Sequence, residues 1–241
     1  MMIDKLLLLS GNDIPFPGGR VFIHQPTLKE IGLITEPVFL YGSRCLIFSK
    51  ENLPEKDKIG LEDKSDFDIF MSMMNNKEVR KFHQNVEMVL KLLFPSYEIQ
   101  IKEDCIHLKQ EEHTCSEINS LNYQELKDIV ENIFLFSETK QESGYNPQKG
   151  RAEKIAEKLR KGKKRTAKSK GIQIENLSIY DNYISVLSIG MNIDINVILN
   201  YTIYQLLDQY KRYGKKYQND IQLKAKLAGA TGMEETENWM E

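Results

Sequence analysis

Four side chains of metal-ligand type crowd one short stretch, as Cys105-x-His107 followed by His113-x-Cys115. Two thiolates and two imidazoles are the donor set of a structural tetrahedral zinc. The spacing argues otherwise. Two ligands separated by one residue on an extended strand share a face, but they do not make the knuckle turn that closes such a site. Hairpin residues alternating with Lys109 and Glu111 account for the same letters. The expectation is therefore no metal and no cofactor.

The remaining candidates for chemistry read more simply still. His24 and His83 have no local Ser, Cys or carboxylate partner in a recognisable nucleophile–base motif, so they read as surface or boundary histidines. Gly18-Gly19-Arg20 precedes a strand, whereas a phosphate cradle places its glycines between a strand and a helix. Asp57, Glu62, Asp63, Asp66 and Asp68 lack the spacing and central glycine of a calcium loop and read as a solvated acidic loop. No catalytic residue is assigned, and the chain reads as a binding protein and not an enzyme.

Charge distribution carries more information than any of these. The chain has 241 residues and a formal net charge of −2, yet residues 149–170 hold eleven Lys/Arg against Glu153 and Glu157. That segment is +9 and leaves −11 on the rest. Such a segment can grip a phosphate backbone by counterion release or dock on an acidic protein surface. It holds no aromatic residue for base stacking, which single-strand readers use. Protein docking is therefore favoured, with Lys154, Lys158, Arg160 and Lys164 as its contacts and nucleic acid as the lesser alternative.

Other compositional features set the class. At 41% hydrophobic and 28% charged, the chain is an ordinary globular protein, long enough for one large domain or two small ones. Cys45, Cys105 and Cys115 are too few and odd in number for a disulfide framework, which points to a reducing compartment. No stretch reaches the roughly 18–20 apolar residues of a membrane span. The run Leu6 to Leu9 lacks the flanks of a secretory leader and reads as a first β-strand.

The elements that would position these residues follow from periodicity. Val21 to Ile23 reads as a second strand, and Pro26 ends it. Thr27-x-x-Glu30 has the form of a capping box, with Leu28, Ile31 and Ile34 following at helical spacing. Val38 to Phe48 reads as another helix after Pro37. Ser65-x-x-Asp68 opens a helix lined by Phe67, Phe70, Met71 and Met74. A longer helix carries Val79, Phe82, Val86, Val89, Leu90 and Leu93 and stops before Pro95. Tyr97, Ile99 and Ile101, then Ile106 and Leu108, alternate like a half-buried hairpin turning at Glu103-Asp104. Leu126, Ile129, Val130 and Ile133 make an amphipathic helix. After a polar and basic stretch, Leu177 to Met191 and Ile195 to Tyr210 predict two further helices, read as an α-hairpin with a loose tail near Gly229 to Glu241.

Two stretches carry a likeness. Asp13-Ile14-Pro15-Phe16-Pro17 with Val21 to Ile31 resembles the opening of proteins from the tail-morphogenesis region of long-tailed phages of Gram-positive bacteria. Asn200 to Tyr213, with Ala225 to Ala230 and Trp239-Met240, is similar to the C-terminal region of such proteins. Proteins at that locus are commonly tail assembly chaperones. The resemblance implies an adaptor in the host cytoplasm that binds the tape-measure protein, keeps its long apolar helices soluble and recruits tail-tube subunits. It implies no catalytic residues. A structural tail component is the alternative within the same setting.

Together these readings predict a mainly helical α+β protein. An N-terminal α+β domain with a small β-hairpin spans residues 1–137, a polar and basic linker spans 138–172, and a C-terminal helical region spans 173–241. The expected docking surface combines Tyr201, Tyr204, Leu207 and Tyr210 with the basic residues named above, because aromatic anchors dominate interfaces.

Overall fold

The computed structural model describes residues 3–135, apart from 19, 54–59, 62 and 112, and residues 178–229. It is mainly helical with two small antiparallel sheets, as the sequence predicts. The basic contacts Lys154, Lys158, Arg160 and Lys164 lie outside the described residues.

The chain opens with α1 (Lys5–Ser10), where the sequence predicts a strand. Asp4 accepts from the Leu6 amide at its N-terminus, and Gly11 adopts a left-handed conformation at its end. These two caps turn a short leucine run into a helix, which periodicity alone cannot separate from a buried strand. Strands β1 (Ile14–Pro15) and β2 (Phe22–Ile23) then pair antiparallel. The capping box forms as predicted: Thr27 accepts from the Glu30 amide and Glu30 accepts from the Thr27 amide, opening α2 (Leu28–Ile34). Pro37 falls in the first turn of α3 (Glu36–Leu46), a position where its missing N–H costs nothing.

Helix α4 (Asp66–Asn75) starts at the second capping box, Ser65 with Asp68, and buries Phe67, Phe70, Met71 and Met74. Asp66 and Asp68, read both as part of an acidic loop and, for Asp68, as the capping-box partner of Ser65, lie in the first turn of this helix, with Asp68 exposed. Helix α5 (Arg80–Leu93) buries the predicted Phe82, Val86, Val89, Leu90 and Leu93. It approaches α3 so closely that a Cβ on Gly42 would stand 2.4 Å from the Asn85 carbonyl oxygen. Only glycine fits there.

The predicted hairpin is present as β3 (Glu98–Ile101) and β4 (Ile106–Gln110), and a third strand, β5 (His113–Ile118), extends it. Ile106, Leu108 and Ile118 face the core. Helix α6 (Tyr123–Phe134) closes the region by burying Tyr123, Leu126, Ile129, Val130, Ile133 and Phe134. Tyr123 stands against both Phe67 and Phe70, with ring centroids 5.2 and 5.1 Å away, and donates its hydroxyl to the Leu46 carbonyl at 2.9 Å.

Three helices follow: α7 (Ile179–Met191), α8 (Ile195–Ile198) and α9 (Ile203–Leu227). The single helix expected from Ile195 to Tyr210 is divided. Thr202 accepts from the Gln205 amide and Gln205 accepts from the Thr202 amide, so a capping box restarts the helix after Tyr201. Tyr180, Leu187, Ile198, Ile203 and Leu206 join the same buried cluster as Leu8, Leu28 and Ile31. Backbone bonds link the two parts directly: Leu28 donates to Tyr201 and Lys29 donates to Leu199, each at 2.9 Å.

Candidate functional site

Helix α9 is the longest element described, and its 25 residues span about 37 Å at 1.5 Å per residue. Its apolar stripe is continuous through Ile203, Leu206, Tyr210, Tyr213, Tyr217 and Ile221, at the three- and four-residue spacing of one helix face. Burial along that stripe is graded. Ile203 and Leu206 are fully buried, Tyr210 and Tyr213 are half-buried, and Tyr217 is 56% and Ile221 48% exposed. From residue 211 onward no described residue of α9 is buried. The stripe outruns the surface it packs on.

The half-buried section is held by α7. Tyr183 packs on Tyr210 with ring centroids 4.5 Å apart, and Tyr213 stacks on Tyr217 at 6.1 Å. Gly190 lies under the Tyr213 phenol, where a Cβ would come within 2.3 Å of the ring end. More large hydrophobic side chains are exposed between residues 179 and 227 than in all of the described part of 3–135, among them Ile189, Ile195, Val197 and Leu223. The flanks of the outer stripe are basic, with Lys211, Arg212, Lys215, Lys216, Lys224 and Lys226 against Asp220.

The four C-terminal residues expected to dock a partner divide accordingly. Tyr201, Leu207 and Tyr210 are half-buried, and Tyr204 is 7% exposed and part of the core. Tyr217, Ile221 and Ile189 offer more area than any of these. They were legible as a continuation of the stripe, but sequence alone does not show where the packing partner stops.

A second constellation sits on the three-stranded sheet. His107 pairs in register with Glu117 on β5, and Cys105 precedes it on the same face. One ligand atom each of Cys105, His107 and Glu117 lies within 4.8 Å of the others. His113 and Cys115, the other half of the Cys–His set that the spacing argued against, do not join them, and the ladder shifts register between Leu108 and Lys109. Burial, then the Asp104 and Glu117 carboxylates, push the Cys105 thiol above its ordinary pKa. Glu117 escaped the sequence reading because it meets Cys105 and His107 only once the third strand is in register.

The histidines also gain partners that local sequence conceals. His24 Nδ1 stands 2.9 Å from Asp13 and Nε2 stands 3.2 Å from Glu30. Burial works to lower the His24 pKa, but the two carboxylates outweigh it and the net shift is upward. His83 Nδ1 bonds the Met74 carbonyl at 2.9 Å, with Glu87 on its other side at 3.6 Å. Lys127 donates to Asp66 at 2.7 Å. Its ammonium also lies 5.5 Å from the centre of the Tyr123 ring.

Among the described residues, no helix is long and apolar enough to cross a membrane. No curated protein and no solved structure matches the chain. Residues 175–241 match the family model described as the YomV second domain, which ties α7, α8 and α9 to a domain of a phage-encoded protein.

Proposed function

We propose that the chain is a phage assembly factor that docks an amphipathic helix of another protein on the outer half of α9. The observation that carries this reading is the apolar stripe that continues from buried Leu206 to exposed Tyr217 and Ile221. A helical client laid along it buries its own apolar face against Tyr217 and Ile221, the helix-in-groove mode of recognition. The basic flank favours a client with acidic residues beside that face, and charge complementarity sets orientation and on-rate more than affinity.

The finer proposal takes its client from the resemblance of both ends of the chain to tail-morphogenesis proteins. In that reading the chain is a tail assembly chaperone in the host cytoplasm, its client is the tape-measure protein, and tail-tube subunits are recruited by the same assembly. The match of residues 175–241 to a domain of a phage-encoded protein supports the phage setting. Co-expression with the tape-measure protein of the same phage tests it. The client should move from the insoluble to the soluble fraction and co-purify with the chain. A client that stays insoluble, or that is soluble without the chain, removes the chaperone reading.

A further inference from the structure

We infer that Cys105, His107 and Glu117 form a binding site for a zinc-type divalent cation on the open face of the three-stranded sheet. Their ligand atoms are a thiol, an imidazole and a carboxylate, the mixed S, N and O set that zinc takes when three protein groups leave a fourth position to water. Strand geometry brings them together. His107 and Glu117 are register partners across β4 and β5, and Cys105 lies two residues from His107 on the same face. The hydrogen-bonded ladder fixes the His107 and Glu117 backbones, and the Cys105 carbonyl accepts from the Lys102 amide at 2.8 Å, so little ordering remains to be done on binding.

The atoms lie within 4.8 Å of one another, whereas ligands around one zinc sit about 3.3–3.6 Å apart at its usual bond lengths. Side-chain rotation of about an ångström closes that difference without moving the sheet. Glu117 is already oriented for it. Asn119 Nδ2 donates to Glu117 Oε1 at 2.9 Å, while Oε2 faces His107 Nε2 at 3.9 Å. Opposite His107 on β3 stands Gln100, whose Oε1 is buried without a hydrogen-bond partner. An amide oxygen beside a ligating histidine is the kind of acceptor that fixes ring orientation.

The surroundings favour a cation. Cys105 and Glu117 line a cleft of about 570 Å³ whose wall also carries Asp68, Glu103 and Asp104, with no basic side chain lining it among the described residues. On coordination the Cys105 thiol loses its proton to solvent and the thiolate sulfur bonds the metal, so uptake weakens as pH falls.

Titration of the full-length, untagged chain with cobalt(II) under reducing conditions tests the site. A thiolate-to-cobalt charge-transfer band should rise to one equivalent per chain, and zinc should displace the cobalt. Cys105→Ser should abolish the band, and His107→Gln or Glu117→Gln should weaken binding by about tenfold or more. His113→Gln and Cys115→Ser should leave affinity unchanged. Zinc should also slow alkylation of Cys105 in the wild-type chain while leaving Cys115 reactive, a measurement that needs no variant to fold. Absence of the band at millimolar cobalt, its survival in Cys105→Ser, its loss in Cys115→Ser, or unprotected Cys105 would each overturn the site.

Discussion

Thr27 and Thr202 pair as an isolated antiparallel β-bridge, and each is the N-cap of a helix, Thr27 of α2 and Thr202 of α9. Two capping boxes from opposite ends of the chain therefore meet back to back. Gln205, which completes the second box, also donates its side-chain amide to the Leu9 carbonyl at 2.8 Å. Glu36 accepts from the Ile179 amide at the start of α7. Polar ends that normally face water are satisfied across the junction between the N-terminal part and the phage-associated domain.

This junction makes the two parts interdependent. Without residues beyond 140, Leu8, Leu28 and Ile31 lose the cover of Ile198, Ile203 and Leu206, with which they share one buried cluster. Each such side chain contributes roughly 1.5–3 kcal/mol when fully buried. Residues 1–140 alone should melt about 10 °C or more below the full chain, and adding residues 175–241 in trans should recover part of the loss. Thermal circular dichroism checks this, and equal melting temperatures would show that the junction contributes nothing to stability.

The Lys127–Asp66 pair should be costly to break. Both groups are largely enclosed, at 6% and 21% side-chain exposure, and Asp66 also accepts the Lys50 amide at 2.9 Å. Lys127→Met strands a carboxylate beside the Tyr123 ring, and a broken buried pair costs about 3–5 kcal/mol. Urea denaturation should show that loss, with part of it restored by Asp66→Asn. Burial acts to raise the Asp66 pKa, but the Lys127 hydrogen bond and the Lys50 amide bring it below 3.8 overall. Its contribution is present above that value and fades as pH falls through the lowered one.

His24 sets the opposite pH limit. Its folded pKa lies above 6.5, so its contribution is complete below 6.5 and is lost as pH rises through the folded value. Glu30 resists burial through its bonds from Thr27 and His24 and is held below 4.5, so its share is lost as pH falls through that lowered value. Wild type should therefore exceed His24→Gln in stability by most between these limits, and the two should converge at alkaline pH. Denaturation across the pH range reads the difference. A gap that persists unchanged at alkaline pH would show that His24 acts through shape and not charge.

Much of this was legible because local signals and the global fold agree. The capping boxes at Thr27 and Ser65 and the stripes of α5 and α6 fall where periodicity places them. Failures came where the deciding contact is distant or small. Leu6 to Leu9 carries no period long enough to tell helix from strand, and only the Asp4 and Gly11 caps decide it. The boundary between exposed and buried on α9 depends on where α7 ends, which no residue of α9 encodes. Glu117 joins Cys105 and His107 through strand register, and register is a tertiary fact.

The docking surface gives the sharpest separation of function from folding. Tyr217 and Ile221 lie past the last buried residue of α9, so Tyr217→Asp with Ile221→Asp removes side chains that the free chain leaves about half exposed. Surface changes of this kind shift stability by about 0.5 kcal/mol or less, and the melting temperature should hold. Client protection in co-expression should nevertheless disappear, because a charged pair on the outer half of the stripe must be desolvated against an apolar helix face. Tyr204→Asp is the contrasting control. It places a carboxylate at a position only 7% exposed, beside Ile203 and Leu206, and should lower the melting temperature whether or not a client is present. Loss of protection by the double variant with an unchanged melt assigns recognition to the outer half of α9. Full protection by that variant would move the client-binding surface elsewhere on the chain.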